Sequence, residues 1–307
     1  MKTKIGTRGS VLALAQAQEL LAGLRAVHEA SRQEFEVCVI RTSGDRIQDR
    51  PLSEAGGKGL FTKEIEEALL AREIDLAVHS MKDVPTILPA GLAIACYLPR
   101  ADVRDAFIST KAASLTQLPT GAVVGTSSLR RQAQLKRLRP DLRVVPLRGN
   151  VDTRLRKLQE GAVDATLLAC AGLARLGLSS RITQPVSVDD MLPAVAQGAI
   201  GVEIRADDDR TAHLLAPINH AQTALAVAVE RAFLARLDGS CKTPIAGLAQ
   251  LAAPDRLVFR GQILAPDGHR AHATRREGPP ETAIAMAEDA AAELIALAGP
   301  DFFRALS

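Results

Sequence analysis

The chain has 307 residues, enough for two or three domains, and its 47% apolar and 24% charged residues are typical of a globular protein. A net charge of +3, with aromatic residues at 3% and no tryptophan, argues against a protein that stacks single-stranded bases on aromatic side chains. No apolar stretch reaches the roughly 18–20 residues that span a bilayer, and the first residues lack a signal-peptide pattern, so we expect a cytoplasmic protein without a membrane partner.

Short apolar runs alternate with amphipathic helical patterns from a first strand to about residue 205. The further predicted strands lie at 35–40, 75–78, 122–125, 142–145 and 164–168. The predicted helices lie at 11–30, 61–71, 128–138 and 151–160. This alternation predicts α/β layers around mainly parallel sheets, in two blocks at about 2–97 and 103–190 with a linker at 99–102.

The pattern changes after residue 219. An apolar residue at every fourth position from Leu225 to Leu237 predicts one helix. Three strand-like runs follow near 245–251, 256–264 and 269–275, and a last helix ends near residue 298. The C-terminal part is therefore predicted to be a small α+β domain.

The four cysteines are far apart and form no Cys-x-x-Cys pair, so neither a disulfide framework nor a zinc site is expected. Cys38, Cys96 and Cys170 lie in apolar runs and are interpreted as core residues. Cys241 lies in a polar, turn-rich segment with Lys242 beside it. A neighbouring ammonium favours the thiolate, which is the nucleophilic form.

Three predicted helices begin with arginine in or beside the first turn, where a basic side chain opposes the helix dipole unless an anion is bound. Between residues 130 and 160 there are ten Lys and Arg against three Asp and Glu. Ser10 and Asn150 are expected N-caps. A plain capped turn or a solvated basic surface remains the alternative. The residues at the three helix starts are Arg8 and Ser10, then Thr126, Ser128, Arg130 and Arg131, then Arg148, Asn150 and Arg154.

Carboxylates are the anions that these arginines suit best, because the planar guanidinium binds a carboxylate through two hydrogen bonds. The glycine-rich segment 56–62 lacks the spacing of a phosphate loop. Its Lys58 either closes over a ligand or lies in a surface turn. Nucleic acid is the rival ligand, but the few aromatic residues and the small net charge count against it.

A single acid follows the predicted strand at 75–78, in His79-Ser80-Met81-Lys82-Asp83. Open α/β sheets bind ligands at the carboxyl ends of parallel strands. Asp83 is therefore either a carboxylate that faces a cationic cleft or a turn residue bonded to its own backbone.

Along essentially its whole length the sequence resembles the porphobilinogen deaminase family. The resemblance rests on the order and number of matching segments. These segments are 56–61, 77–85, 104–107, 124–132, 147–151, 192–199 and the loop around Cys241. Two departures are Glu54, where relatives often carry a basic residue, and Ala196, where a glycine is usual.

The resemblance implies an α/β fold of three domains. Two lobes similar to those of periplasmic solute-binding proteins flank a cleft, the first at 1–98 with 197–217 and the second at 103–192. A small C-terminal α+β domain at 219–307 carries the cofactor cysteine. The return of the chain to the first lobe is not visible in the linear pattern of elements.

The resemblance also implies a monomeric transferase of tetrapyrrole biosynthesis that acts on porphobilinogen, without nucleic acid. Cys241 would hold a dipyrromethane through a thioether. Four porphobilinogen molecules would lose ammonia, each giving an azafulvene, and join head to tail on this primer. Water would then release the linear tetrapyrrole hydroxymethylbilane. A two-lobed binding protein without chemistry is the alternative, and the reactive-looking cysteine argues against it.

By the same resemblance, Asp83 is the catalytic acid, facing the pyrrole nitrogens and stabilising positive charge. The residues implied to bind the cofactor are Cys241, Lys82, Thr126, Ser128, Arg130 and Arg131. The residues implied to bind substrate carboxylates are Arg8, Ser10, Lys58, Ser80, Arg148, Asn150, Arg154, Arg175 and Gln197.

Overall fold

The computed structural model describes residues 2–29, 33–46, 59–237, 244–300 and 302. The strands in chain order are β1 Lys2–Arg8, β2 Glu34–Ile40, β3 Leu76–Ser80, β4 Leu92–Tyr97, β5 Asp105–Ser109, β6 Val123–Gly125, β7 Arg143–Val145, β8 Ala165–Ala169, β9 Gln184–Pro185, β10 Ile200–Arg205, β11 Ile245–Ala253, β12 Arg256–Leu264 and β13 Ala271–Gly278. The helices are α1 Val11–Val27, α2 Ser43–Arg46, α3 Lys63–Leu70, α4 Leu129–Leu138, α5 Val151–Gln159, α6 Cys170–Arg175, α7 Asp209–Leu215, α8 Ala221–Arg236 and α9 Ala283–Ala298. Within the described ranges, every helix is too short or too polar to cross a membrane.

The chain divides into two compact units, and unit 1 comprises Met1–Ala101 and Gly198–Leu225. Its five-stranded sheet has the order β2-β1-β3-β10-β4, with β1 parallel to β2 and β3 and with β10 antiparallel to both neighbours. Leu20 and Leu24 of α1 pack on one face of the sheet, and Ile65 and Leu69 of α3 belong to the core on the other face. Helices therefore cover both faces, as expected for a sheet with apolar strands.

Unit 2 comprises Asp102–Gln197 and Ala226–Ser307. Its larger sheet has the order β7-β6-β8-β5-β9, with β5 antiparallel to both neighbours. Each five-stranded sheet therefore has one reversed strand, β10 in unit 1 and β5 in unit 2. Each is the first strand that the chain forms after it passes from one unit into the other. The remaining strands of each sheet share one direction, which confirms the prediction of two mainly parallel α/β sheets.

The C-terminal part of unit 2 is an antiparallel sheet of the order β11-β12-β13, with α9 packed on β12 and β13. Phe233 of α8 lies against Phe259 with ring centroids 4.9 Å apart. A Cβ added at Gly261 would lie 2.6 Å from the Phe233 ring, so glycine lets α8 approach the sheet. The predicted small α+β domain is confirmed.

The domain boundaries expected at 1–98 with 197–217, 103–192 and 219–307 stay a prediction, because unit 2 groups the second and third sheets together. The return of Gly198–Leu225 to unit 1 is seen directly, since β10 pairs with β3 and β4.

Candidate active site

Asp83 lies in a recess of unit 1. β3 ends at Ser80, and Met81–Asp83 forms one 3₁₀ turn directly after it. The half-buried Asp83 lines the recess together with Arg8 and Phe61. The predicted acid therefore lies at the carboxyl end of a strand that is parallel to β1, where open α/β sheets bind ligands.

A cation shares this recess. Arg8 is the last residue of β1, and its guanidinium carbon lies 4.1 Å from the centre of the Phe61 ring. The ring attracts the cation and so holds it in place. Ser10 accepts a hydrogen bond from the Ala13 backbone N–H at 3.2 Å and caps α1, as the sequence predicted. A recess lined by both Asp83 and Arg8 suits a ligand that carries positive and negative groups.

Ser80 is held from α1. Its hydroxyl oxygen lies 2.7 Å from the side-chain nitrogen of Gln16, which is 5% exposed and also lines the recess. Gln16 was missed from the sequence because its place on the inner face of α1 becomes significant only when that helix packs on β3. Lys82, in the same turn as Asp83, is exposed.

His79, which also lines the recess of unit 1, is paired with a buried acid behind it. His79 Nε2 lies 2.9 Å from Glu203 Oε2, joining β3 to β10. Burial raises the pKa of the neighbouring Glu66, and the negative charge of Glu203 adds to that rise. The sequence did not single out Glu66 or Glu203, since each partner lies far away along the chain.

In unit 2, the N-cap of α4 is Ser128, which the sequence had placed in a hydroxyl-rich turn at the start of this helix. Ser128 accepts a hydrogen bond from the Arg131 backbone N–H at 3.4 Å, and the Ser128 N–H donates to the Thr126 hydroxyl at 3.2 Å. These bonds fix the turn between β6 and α4. Arg130 and Arg131 consequently lie in the first turn of the helix.

Both arginines are buried against one carboxylate, that of Asp105 in β5. Arg131 donates from Nε and Nη2 to Asp105 Oδ1 at 3.1 and 2.7 Å, and Arg130 Nη2 lies 2.8 Å from Oδ2. Burial alone would raise the pKa of Asp105, but the charges of Arg130 and Arg131 outweigh it and hold that pKa well below its usual value. From the sequence, Asp105 was only part of the matching segment 104–107, and this network was not predicted.

Gln197 belongs to the same network. Its side-chain N–H groups donate to Asp105 Oδ1 at 3.0 Å and to the Val103 carbonyl at 2.8 Å, and the side chain is buried. The residue before it, Ala196, has a φ of +60°, in the left-handed region that favours glycine. A glycine is expected at position 196 because it adopts this backbone conformation more easily than the alanine that is present.

A second set of cations lies at the start of α5. Asn150 caps the helix by accepting a hydrogen bond from Thr153 N–H at 2.9 Å, as predicted. Burial first, and then the positive charges of Arg131 and Arg148, together lower the pKa of Arg154 from 12.5 to about 10. Arg131, Arg148 and Arg154 are thus close enough to repel one another, which favours binding of a polyanion.

Arg175 is half-buried at the end of α6, which follows β8. The predicted site residues thus fall into two groups, one in each unit. In unit 1 these are Arg8, Ser10, Ser80, Lys82 and Asp83, and in unit 2 they are Thr126, Ser128, Arg130, Arg131, Arg148, Asn150, Arg154, Arg175 and Gln197.

Cys241 and Lys58, like Glu54, lie outside the described residues. The elements that flank Cys241 are described: α8 ends at Arg236 and β11 begins at Ile245.

The other three cysteines are free thiols, as expected for core residues. Burial raises the pKa of Cys96 to about 12 and that of Cys170 to about 11, and it also raises the pKa of the half-buried Cys38. All three are therefore poor nucleophiles.

Comparison with known proteins supports one family. "Porphobilinogen deaminase, dipyromethane cofactor binding domain" matches residues 3–213, and "Porphobilinogen deaminase, C-terminal domain" matches residues 224–296. Porphobilinogen deaminase of Paracoccus denitrificans is 61% identical, with coverage of 98% of this chain and 96% of that protein. The Nitrobacter hamburgensis protein is 58% identical, with coverage of 97% and 94%, and the chloroplastic protein of Oryza sativa is 55% identical, with coverage of 99% and 86%.

Among solved structures, a putative methionine-binding lipoprotein from Bacillus subtilis is 12% identical with a TM-score of 0.44, over 72% of this chain and 91% of that one.

Proposed function

The chain belongs to the porphobilinogen deaminase family, and from this membership we propose which of its residues carry the reaction. The enzyme deaminates porphobilinogen and joins the units head to tail into the linear tetrapyrrole hydroxymethylbilane. Its cofactor is a dipyrromethane.

The residues of unit 2 fit such a cofactor. Each pyrrole of a dipyrromethane carries an acetate and a propionate, so the group is a polycarboxylate. The observation that carries the proposal is the arrangement of cations in unit 2. Arg130 and Arg131 share one buried carboxylate at the start of α4. Burial and then the charges of Arg131 and Arg148 lower the pKa of Arg154 to about 10. Carboxylates bound among these guanidiniums relieve both the burial of charge and the mutual repulsion.

When bound, the dipyrromethane supplies the primer, a pyrrole α-carbon to which the first incoming unit is joined. We assign its thioether to Cys241. Within the described part of the chain Arg131 uses three of its five N–H groups, on Asp105 and the Leu167 carbonyl. The other two can bind a carboxylate in a fixed orientation. We assign the same task to Arg130, Lys82, Thr126 and Ser128.

Substrate and growing chain bring further carboxylates. We assign part of their binding to the helix caps Ser10 and Asn150, since each accepts its capping bond with one oxygen and its own O–H or N–H groups can donate to a carboxylate. We assign a positioning role to Gln197, which acts through Asp105. The remaining residues assigned to substrate binding are Arg8, Lys58, Ser80, Arg148, Arg154 and Arg175.

Asp83 is proposed as the catalytic residue. When ammonia leaves the aminomethyl arm with the electrons of the C–N bond, positive charge spreads over the pyrrole ring. A carboxylate beside the pyrrole N–H stabilises that charge. The α-carbon that forms the new bond later releases its hydrogen as a proton, and the carboxylate can accept it.

Mass spectrometry of the intact protein tests this function. The wild-type chain is expected to be heavier than its sequence by a two-pyrrole adduct, and Cys241→Ser is expected to have the bare mass. A pink colour with acidic aldehyde reagent should accompany the adduct and be absent from the variant. A wild-type protein of bare mass would contradict the proposal.

We also propose that the enzyme acts as a monomer in the cytoplasm, with porphobilinogen as its ligand and without nucleic acid. For the absence of nucleic acid the support is compositional: the net charge is +3 and aromatic residues make up 3% of the chain. Sedimentation of the purified protein, with and without DNA, tests the monomeric state and the absence of nucleic-acid binding.

A further inference from the structure

Glu230 is a buried carboxylate that the reaction described above does not use. It lies in α8, is 0% exposed, and accepts two backbone hydrogen bonds through different oxygens. Oε2 accepts from Ala196 N–H at 2.6 Å, and Oε1 accepts from Ala249 N–H at 2.8 Å. The carboxylate therefore joins the segment before β10 to β11.

The first of these bonds supports a turn in an unfavourable conformation. Ala196 has a φ of +60°, which costs a residue with a Cβ about 1–2 kcal/mol relative to the right-handed region. A charge-assisted hydrogen bond to its N–H offsets this cost. The next residue, Gln197, donates to Asp105, which pairs with Arg130 and Arg131.

The second bond holds an element that flanks the cysteine. Residues between Arg236, the end of α8, and Ile245, the start of β11, include Cys241. Glu230 lies on the preceding helix and Ala249 on the following strand. Gly247 N–H also donates to the Pro193 carbonyl at 3.1 Å, which joins β11 directly to the segment that precedes the turn.

We propose that Glu230 is a positioning residue that holds the turn at Ala196 against β11, and through that turn orients the network of Gln197, Asp105 and the two arginines. This inference deepens the proposed function and rests on it. The guanidiniums that bind the cofactor carboxylates then keep a fixed orientation, so chain growth depends on Glu230 without any contact between Glu230 and substrate.

Glu230→Gln tests the inference, because the amide has the same shape but can accept only one of the two hydrogen bonds and turns an N–H₂ toward the other donor. The holoenzyme should keep a KM for porphobilinogen within about threefold of wild type, while kcat falls about tenfold or more. Partly elongated adducts should accumulate in the intact mass spectrum.

Leu294→Ala is the matched control. Leu294 is a buried residue of α9, the helix that packs on β12 and β13, so its truncation destabilises the same domain without touching the turn or β11. Well below the melting temperature of both variants, kcat of this control should stay within about twofold of wild type.

Ala196→Gly supplies a rescue that a merely structural Glu230 would not show. Glycine adopts the left-handed turn without the support of Glu230. Added to Glu230→Gln, it should raise kcat about threefold or more, whereas alone it should change kcat less than about twofold. If Glu230→Gln does not fold, Ala196→Val perturbs the turn from its other end and should lower kcat in the same way.

Equal kcat values for Glu230→Gln and Leu294→Ala, or a rescue no larger than the effect of Ala196→Gly alone, would overturn the inference. A kcat of Ala196→Val equal to that of wild type would also overturn the inference. The proposed function is judged separately by the adduct on the wild-type chain, because the variants are compared only as holoenzyme.

Discussion

Arg131 binds Asp105 through two nitrogens, Nε at 3.1 Å and Nη2 at 2.7 Å, and both side chains are buried. The partners lie on α4 and β5, so this pair fixes the direction in which the helix presents its first turn. Arg130 shares the carboxylate. Two guanidinium groups thus face one carboxylate. This leaves a net positive charge that can attract a bound anion, and it fixes the orientation of both guanidiniums.

Asp105→Asn should destabilise the folded protein at neutral pH by about 3–5 kcal/mol, because the two buried cations lose their counter-charge. The pKa of Asp105 is lower in the folded than in the unfolded chain, so its contribution is fully present above the unfolded value of about 3.9 and is lost as pH falls toward the folded value. Urea unfolding at several pH values should show a gap between wild type and variant that narrows below about pH 4.

Asp141→Asn is a suitable control for this prediction. Asp141 pairs with Arg139 at 2.6 Å, but the pair is partly exposed to solvent. Asp141→Asn should therefore lower the free energy of unfolding much less than Asp105→Asn does. Equal losses would mean that burial does not set the strength of the Asp105 network.

Local patterns were sufficient to predict the helix starts. Ser10 and Asn150 each cap the helix at which the sequence placed them, because a cap depends on residues within three positions of it. The helical repeat from Leu225 to Leu237 likewise corresponds to α8.

Long-range pairing was not predictable in the same way. The strands β4, β5 and β10 were not identified from periodicity, and β10 was placed only through the family resemblance. The sequence marked Arg131 as an anion binder, but its partner Asp105 lies 26 residues earlier on another element. Hydrogen bonds of this kind depend on which strands become neighbours, and local composition does not determine that.

Ala196→Gly should stabilise the protein by up to about 1 kcal/mol, because glycine adopts a φ of +60° without the steric cost that alanine has. The gain is partly offset by the greater freedom of glycine in the unfolded chain. Ala199→Gly, at a buried position without a positive φ, should instead be destabilising. Thermal unfolding of both variants checks the prediction, and a shift in the same direction for both would contradict it.

Arg154→Gln should lower turnover at least about tenfold with little change in melting temperature. The pKa of Arg154 is lower in the folded than in the unfolded chain, so below about pH 10 its charge opposes folding and its removal relieves that penalty. The lost hydrogen bond from Nε to the Gly149 carbonyl acts in the opposite direction. Arg156→Gln, on the exposed side of the same helix, should leave both turnover and stability near wild type. A large drop in melting temperature with normal turnover would assign Arg154 a structural role.

Asp83→Asn should lower kcat by about a hundredfold or more, since the amide cannot stabilise the charge that develops on the pyrrole ring or accept its proton. The melting temperature should stay close to wild type, because Asp83 lines a recess rather than the core. Asp255→Asn, in the exposed turn between β11 and β12, should leave kcat unchanged. Near-normal turnover of Asp83→Asn would remove its assigned role.

Gly268→Ala tests how the C-terminal sheet holds α4. Gly268 lies in the turn between β12 and β13 with a φ of +78°, and a Cβ there would lie 2.7 Å from both the Ala133 carbonyl oxygen and the Arg137 nitrogen. Gly121→Ala is the matched control, since Gly121 has a φ of +77° and open space around an added Cβ. Both substitutions carry the same backbone penalty, so the difference between them isolates the contact with α4. Gly268→Ala should lower the free energy of unfolding by about 1–3 kcal/mol more than Gly121→Ala does in urea, because backbone atoms of a helix cannot move aside as a flexible side chain can.

Turnover should also fall only for Gly268→Ala, since α4 carries Arg130 and Arg131 in its first turn. Equal losses of stability in the two variants would mean that the turn between β12 and β13 does not stabilise α4 by contact.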